Sequence, residues 1–256
     1  MHLRALLACL AILLLPAPAA AQPPATVAAA SDLRFALDEV ITAYERETSL
    51  RVRVTYGSSG DIARQIEQGA PFELFMSADE SFVARLASKG LTVNAGALYG
   101  NGRLVVFAAT GSRVQVDEQL ADVGRAARDG RLRKLAIANP EHAPYGRAAR
   151  EALESLRLWQ AVERKLVFGE NVSQAAQFAA SGSAEAGIFA LSLAISPGLA
   201  GKGRYVVLPA RLHRPLRQRM VLLKRASAAA RRFYDFLQQP AARSILQRYG
   251  FEVPAN

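Results

Sequence analysis

Thr55-Tyr56-Gly57-Ser58-Ser59-Gly60-Asp61-Ile62-Ala63-Arg64-Gln65-Ile66, running on to Gly69-Ala70-Pro71-Phe72-Glu73-Leu74-Phe75-Met76-Ser77-Ala78-Asp79, is the stretch from which the fold reads outward. Arg51 to Tyr56 is rich in β-formers, and Gly57 to Gly60 is a turn of small residues. Ile62 and Ile66 stand four apart and open an amphipathic helix. Ser58 or Ser59 is then the N-cap candidate, at a helix end whose first N–H groups lack intrahelical partners. Such an end suits an anion.

The same device stands upstream. Thr26-Val27-Ala28-Ala29-Ala30 reads as a buried strand emptying into Ser31-Asp32, after which Leu33, Leu37, Val40, Ile41 and Tyr44 recur at helical spacing. Ser31 or Asp32 is positioned to cap that helix. Downstream, strands are predicted at Leu74–Ser77, Asn101–Ala108, Leu135–Ala138, Lys165–Phe168, Tyr205–Leu208 and Met220–Leu223, with helices between most of them. Strand and helix alternate, so the class is α/β with mainly parallel sheets. The isolated strong strands near Leu104 and Met220 suit two lobes joined by two crossovers. The divisions expected are residues 22–104 with 218–256 for one lobe and 105–217 for the other. In open α/β sheets ligands lie beyond the carboxyl ends of strands, where both serine turns fall.

The serine turn followed by I-A-R-Q-I-E, G-A-P and L-F-M-S-A-D resembles the matching segment of the periplasmic molybdate-binding proteins of ABC importers. Ala28-Ala29-Ala30-Ser31, the turn Asn139-Pro140-Glu141-His142-Ala143-Pro144-Tyr145-Gly146 and the ending Arg248-Tyr249-Gly250-Phe251 extend the resemblance over essentially the whole chain after Ala21. It implies a type II periplasmic-binding-protein fold of two lobes closing over an oxyanion, molybdate or tungstate. The ligand set it implies is Ser31, Ser59, Tyr145 and Val172, with no cofactor and no direct cation ligand. Val172 follows the N-cap candidate Asn171, so its donor is the backbone N–H rather than the side chain. The implied partner is the membrane permease of the transporter, and a monomer is expected.

Two departures from the family pattern stand out. Asp32 puts a carboxylate beside Ser31. Many members carry tyrosine where this chain has Ala190 and a small residue where it has Tyr145, so the phenol donor is expected to come from Tyr145 on the opposite wall.

The rest of the chain bounds the alternatives. Met1 to Ala21 has the pattern of a cleavable signal peptide: a short polar start, the apolar run Ala5–Leu15, and Ala19-Ala20-Ala21 before the cut. Export to the periplasm is therefore expected. Cleavage would remove Cys9, the single cysteine, and with it any disulfide or thiolate metal site. It would also leave 31 Lys+Arg against 22 Asp+Glu, a formal +9. The arginines Arg147, Arg150, Arg157 and Arg164 are spread at helical spacing without interleaved aromatics, so a solvated basic surface is expected and nucleic acid is not. His142 has no second histidine at ligand spacing, which argues against a metal. The competing readings are a receptor for sulfate or thiosulfate and a secreted serine hydrolase using Ser59 and His142. Gly57-Ser58-Ser59-Gly60 lacks the G-x-S-x-G elbow that a hydrolase of that kind needs.

Overall fold

The computed structural model describes residues 23–254. The signal-peptide reading of residues 1–21 lies outside the described residues. Among the described residues ten strands form two five-stranded sheets. In chain order they are β1 (Ala25–Ala30), β2 (Val52–Gly57), β3 (Leu74–Ser77), β4 (Ala97–Gly102), β5 (Leu104–Ala109), β6 (Leu135–Ala138), β7 (Leu166–Gly169), β8 (Ala186–Ala190), β9 (Gly203–Val207) and β10 (Leu216–Leu222). The helices are α1 (Arg34–Thr48), α2 (Ser59–Glu67), α3 (Glu80–Ser88), α4 (Ala121–Asp129), α5 (Pro144–Ser155), α6 (Trp159–Val162), α7 (Val172–Ala180), α8 (Leu191–Ala194), α9 (Ala228–Phe236) and α10 (Pro240–Arg248).

The first sheet runs β2-β1-β3-β10-β4 and the second β7-β6-β8-β5-β9. Each has three parallel strands on one side: β2, β1 and β3 in the first, β7, β6 and β8 in the second. The fourth strand in each order is antiparallel to both neighbours. That fourth strand is the one that has just crossed from the other lobe. The sheets are thus mixed rather than mainly parallel, because a chain entering from the opposite lobe arrives running the other way. The run Asn101–Ala108, read from sequence as one strand, is two: β4 ends at Gly102, and β5 enters the second sheet at Leu104 with only Arg103 between. β10 also begins earlier than its apolar end suggests, at Leu216.

Burial explains the strand sequences. All six residues of β5 and all of β6 and β8 are buried, which accounts for their unbroken apolar runs. The first lobe keeps cores on both sheet faces, one under α1 and the closing helices, the other under α2 and α3. Tyr44 of α1 meets Phe233 and Phe236 of α9 at ring-centroid distances of 4.9 and 5.2 Å, which ties the C-terminal helices to the first lobe. The core of the second lobe reaches Ala30 and Ala78 at the strand ends of the first, so the lobes meet at the serine turns.

Candidate functional site

Helices begin at the carboxyl ends of β1, β2, β6 and β7, and four of these starts face one another across the lobes. The first is a 3-10 turn, Ser31–Leu33, which leads into α1. The second is α2, capped by Ser58, whose side chain accepts from Asp61 N at 3.2 Å. From the second lobe come α5, with Pro144 in its first turn, and α7, capped by Asn171, whose Oδ1 accepts from Gln174 N at 3.2 Å. α5 starts at Pro144, so Tyr145 sits on the first turn of a helix and not on an open turn as its Pro-Tyr-Gly setting suggested.

These starts surround a small cavity of about 10 Å³, lined by Ser31, Asp32, Ser58, Ser59, Tyr145 and Val172 together with small and apolar neighbours. Among the described residues no lysine or arginine lines it. Ser59 is fully buried, and its Oγ accepts from Ala78 N at 3.0 Å. Ser31 Oγ accepts from Ser173 N at 3.3 Å. Each hydroxyl oxygen is thus partly satisfied by a backbone donor, which leaves the hydroxyl hydrogen as what each serine offers the cavity. The backbone N–H groups of Ser59, Tyr145 and Val172 make no hydrogen bond among the described residues. First-turn N–H groups have no intrahelical acceptor, so these are donors in want of a partner. The four residues named from sequence all line this one cavity.

Tyr145 differs from the expectation in how it is used. Its ring is 1% exposed, and its hydroxyl accepts from Gln218 Nε2 at 3.1 Å. The same amide nitrogen donates to Asp32 Oδ2 at 2.8 Å, and the phenol faces the Asp32 carboxyl. The hydroxyl is therefore committed to a buried side-chain cluster, and the free donor of Tyr145 is its N–H. Ala190, where a tyrosine was noted as common, is buried opposite Leu104 in the β5–β8 pairing.

Asp32 neither caps its helix nor turns to solvent. It is 1% exposed, and burial with no cation beside it pushes its carboxyl up to about 6, against the pull of Gln218 and Tyr145. Its Oδ1 and the Oε1 of Gln218 are buried without a hydrogen-bond partner. Gln218 is the residue that sequence reading missed. The signal was available, since Leu216, Gln218 and Met220 share the inward parity of one strand while Arg217 and Arg219 point the other way.

The lobes are held shut by bonds that cross between them. Gly60 N donates to His142 O at 2.9 Å, Ser173 Oγ to Ser31 O at 2.8 Å, and Ser192 Oγ to Asp32 O at 2.8 Å. A Cβ on Gly60 would lie 2.5 Å from that carbonyl, so only glycine allows α2 to approach so closely. His142 Nδ1 lies 2.9 Å from Ser58 Oγ and 3.1 Å from Asp61 Oδ2, and Arg147 pairs with Asp79 at 3.0 Å. Asp61, His142 and Glu170 bring ligand-type atoms within 4.8 Å of one another. With Nδ1 engaged by Ser58 and Asp61, the imidazole acts as an interlobe hydrogen-bonding group. Ser59 and His142 do not form a nucleophile–base pair: His142 bonds the neighbouring Ser58, and the Ser59 hydroxyl bonds Ala78 N.

A pair of crossed α/β lobes with a donor-lined cavity between them defines a ligand receptor, and the comparisons with known proteins agree. The model of the bacterial extracellular solute-binding proteins matches residues 25–252, and the chain belongs to that family. Within it, the chain is 34% identical over 228 residues to the molybdate-binding protein ModA of Azotobacter vinelandii, covering 88% of each. It is 38% identical over 216 residues to the protein of that name from Rhodobacter capsulatus, covering 83% of this chain and 82% of the relative. The solved structure of the Azotobacter vinelandii periplasmic molybdate-binding protein superposes with a TM-score of 0.81 at 29% identity, covering 90% of this chain and all of that one. The architecture is that of the periplasmic binding proteins.

Proposed function

We propose that the protein captures molybdate or tungstate between its lobes and delivers it to the membrane permease of an ABC transporter. The observation that carries this reading is the cavity itself: oriented serine hydroxyls and unpaired helix-start N–H groups from both lobes, with no cationic side chain among its lining residues. Hydrogen bonds from such donors to a charged acceptor are worth about 1.5–3 kcal/mol each. Helix starts add a favourable field for an anion. Ser31, Ser59, Tyr145 and Val172 are the proposed ligands, the last two through their backbone N–H groups. A cage of donors favours an oxyanion that carries no proton, since a ligand O–H would meet another donor. Molybdate and tungstate meet that condition at neutral pH, and sulfate is smaller. The relatives named as molybdate-binding proteins support the choice.

The protein acts as an exported periplasmic receptor, a monomer, and not as an enzyme. Nothing in the Ser59–His142 geometry supports hydrolysis, as the two side chains have separate partners. The deciding experiment is calorimetric titration of the purified protein with molybdate, tungstate, sulfate and thiosulfate, beside elemental analysis of what copurifies. Saturable binding of the first two with no heat from the others is expected. Binding of sulfate or thiosulfate in preference to molybdate would reassign the receptor.

A further inference from the structure

The buried cluster behind the cavity points to a role for Asp32 that oxyanion capture by itself does not require. We propose that Asp32 is a selectivity-setting residue that holds a proton while the dianion is bound, so that each capture takes up one proton from solvent. This inference rests on the oxyanion reading given above.

The groups around the carboxyl come from several elements, and none is charged. Gln218 on β10 donates to Oδ2 at 2.8 Å. Tyr145 on α5 and Tyr99 on β4 are both fully buried near it, the latter giving its hydroxyl to Ser77 O at 3.0 Å. Ser192 on α8 bonds only the Asp32 carbonyl. Asp32 belongs to no ion pair among the described residues. A buried carboxylate with no cation is costly, and a dianion placed in the same cavity adds repulsion between like charges.

One proton removes both difficulties. A protonated carboxyl is neutral and becomes a donor, which an ionised one cannot be. The Tyr145 phenol and the backbone N–H groups of Asp32 and Leu33 also bear on the carboxyl, yet its Oδ1 and the Oε1 of Gln218 remain acceptors without a hydrogen-bond partner. The partial elevation of the Asp32 pKa in the protein alone moves in the required direction, and the dianion drives it further. The balance is simple: carboxylate, one solvent proton and the dianion combine into a complex of neutral acid and dianion, with no other reactant. Between the two pKa values of Asp32, with and without anion, affinity then falls about tenfold per unit rise in pH. With Asp32 neutral, the hydroxyls and the free N–H groups present hydrogens to the cavity, and no carboxylate stands beside it to accept a proton from the ligand. A ligand that keeps its own proton, such as hydrogen phosphate, is thereby disfavoured.

His142 and Asp61 are the other titratable groups close to the cavity wall, joined to Ser58. Their contribution would survive in Asp32→Asn, which makes that variant the control. The experiment measures molybdate affinity of the full protein from pH 5.5 to 8, with calorimetry at pH 7 in buffers of different ionisation enthalpy to count protons. Wild type is expected to take up about one proton per anion and to weaken about tenfold per pH unit above pH 6.5. Asp32→Asn is expected to take up none and to show a flat profile, binding more tightly than wild type at pH 8.

Molybdate binding by wild type with no proton uptake and no pH slope would overturn the role of Asp32 and leave the receptor standing. An unchanged slope in Asp32→Asn would do the same, by assigning the proton to another group. Tight phosphate binding without proton uptake would also overturn it, since the carboxylate would then be accepting the ligand's proton. Absence of any oxyanion binding by folded wild type across this range would overturn the receptor reading and this one together. The wild-type proton count stands even if the variant folds poorly.

Discussion

The two walls of the cavity solve one problem with different parts. The first lobe contributes side chains beside one helix-start N–H, that of Ser59: the hydroxyls of Ser31 and Ser59, each with its oxygen held by a backbone N–H. The second lobe contributes backbone: the N–H groups at the starts of α5 and α7, on residues whose side chains are a buried phenol and a valine. A hydroxyl can be deleted by a single substitution, whereas an N–H survives every replacement except proline. On the proposed ligand set, residues of the second wall are free to vary in type. Such a set accommodates valine and tyrosine where a polar side chain would be sought.

Substitutions can break this asymmetry in graded ways. The largest effect is expected from Ser59→Asp, which aims a carboxylate at the dianion. Like-charge contact costs several kcal/mol, so titration should detect no molybdate binding, with circular dichroism confirming the fold. Affinity near wild type in that variant would remove the serine turn from the site.

Ser59→Ala and Ser31→Ala each delete one hydroxyl. Each is expected to weaken molybdate about 10- to 100-fold, measured by the same titration. Val172→Ala, which keeps the N–H, should stay within about threefold of wild type if the second wall works through its backbone. A loss at Val172→Ala as large as that at Ser59→Ala would erase the proposed difference between the walls.

Asp32→Asn sharpens the comparison through stability in the protein without ligand. The folded carboxyl keeps its proton up to about pH 6, while in the unfolded chain it ionises near pH 4. Folding therefore holds the extra proton between those values, and stability drops as pH rises through that window. Asparagine cannot ionise. The variant is expected to match wild type near pH 4 and to exceed it by about 1–3 kcal/mol above pH 6.5, read from melting curves across pH. A constant difference at every pH would show that the carboxyl carries no such penalty.

The smallest effect is expected from Tyr145→Phe at pH 5.5, where the affinity should change less than about threefold. The phenol there serves Gln218 and Asp32, not the anion. A loss of tenfold or more would return the hydroxyl to the ligand set.

Much of this was legible in the chain because local rules and tertiary demands agree at the serine turns. Gly57 to Ile66 carries a strand end, a cap and a helix period in ten residues, and the structure has each. The illegible parts are those set by partners far away in sequence. Gly100-Asn101-Gly102 before Arg103 reads as a turn opening one strand, whereas lobe geometry makes it the end of β4, paired with β10, before β5 enters the other sheet. The fate of Asp32 depends on Gln218, 186 residues later, and on Tyr145. Local reading offered it only a cap or a solvent-facing role, and a neutral amide on a strand from the far end of the chain supplied a third. The mixed sheets have the same origin, because strand direction is decided by where the chain comes from.

The crossing at Arg103 also fixes an order of assembly. All five strands of the second sheet lie within residues 104–207, so that lobe can complete its sheet from one continuous stretch. The first sheet cannot: β10 lies between β3 and β4, pairing Met220 with Met76 and Ala97. Until residues 216–222 are in place, β4 has no neighbour linking it to the other three strands of its sheet. Closing so long a loop is entropically slow, and a chain threaded through a membrane from its amino end presents that strand late. The first lobe therefore starts first and finishes last, its open β3 edge exposed in the interval to any other chain that offers a strand.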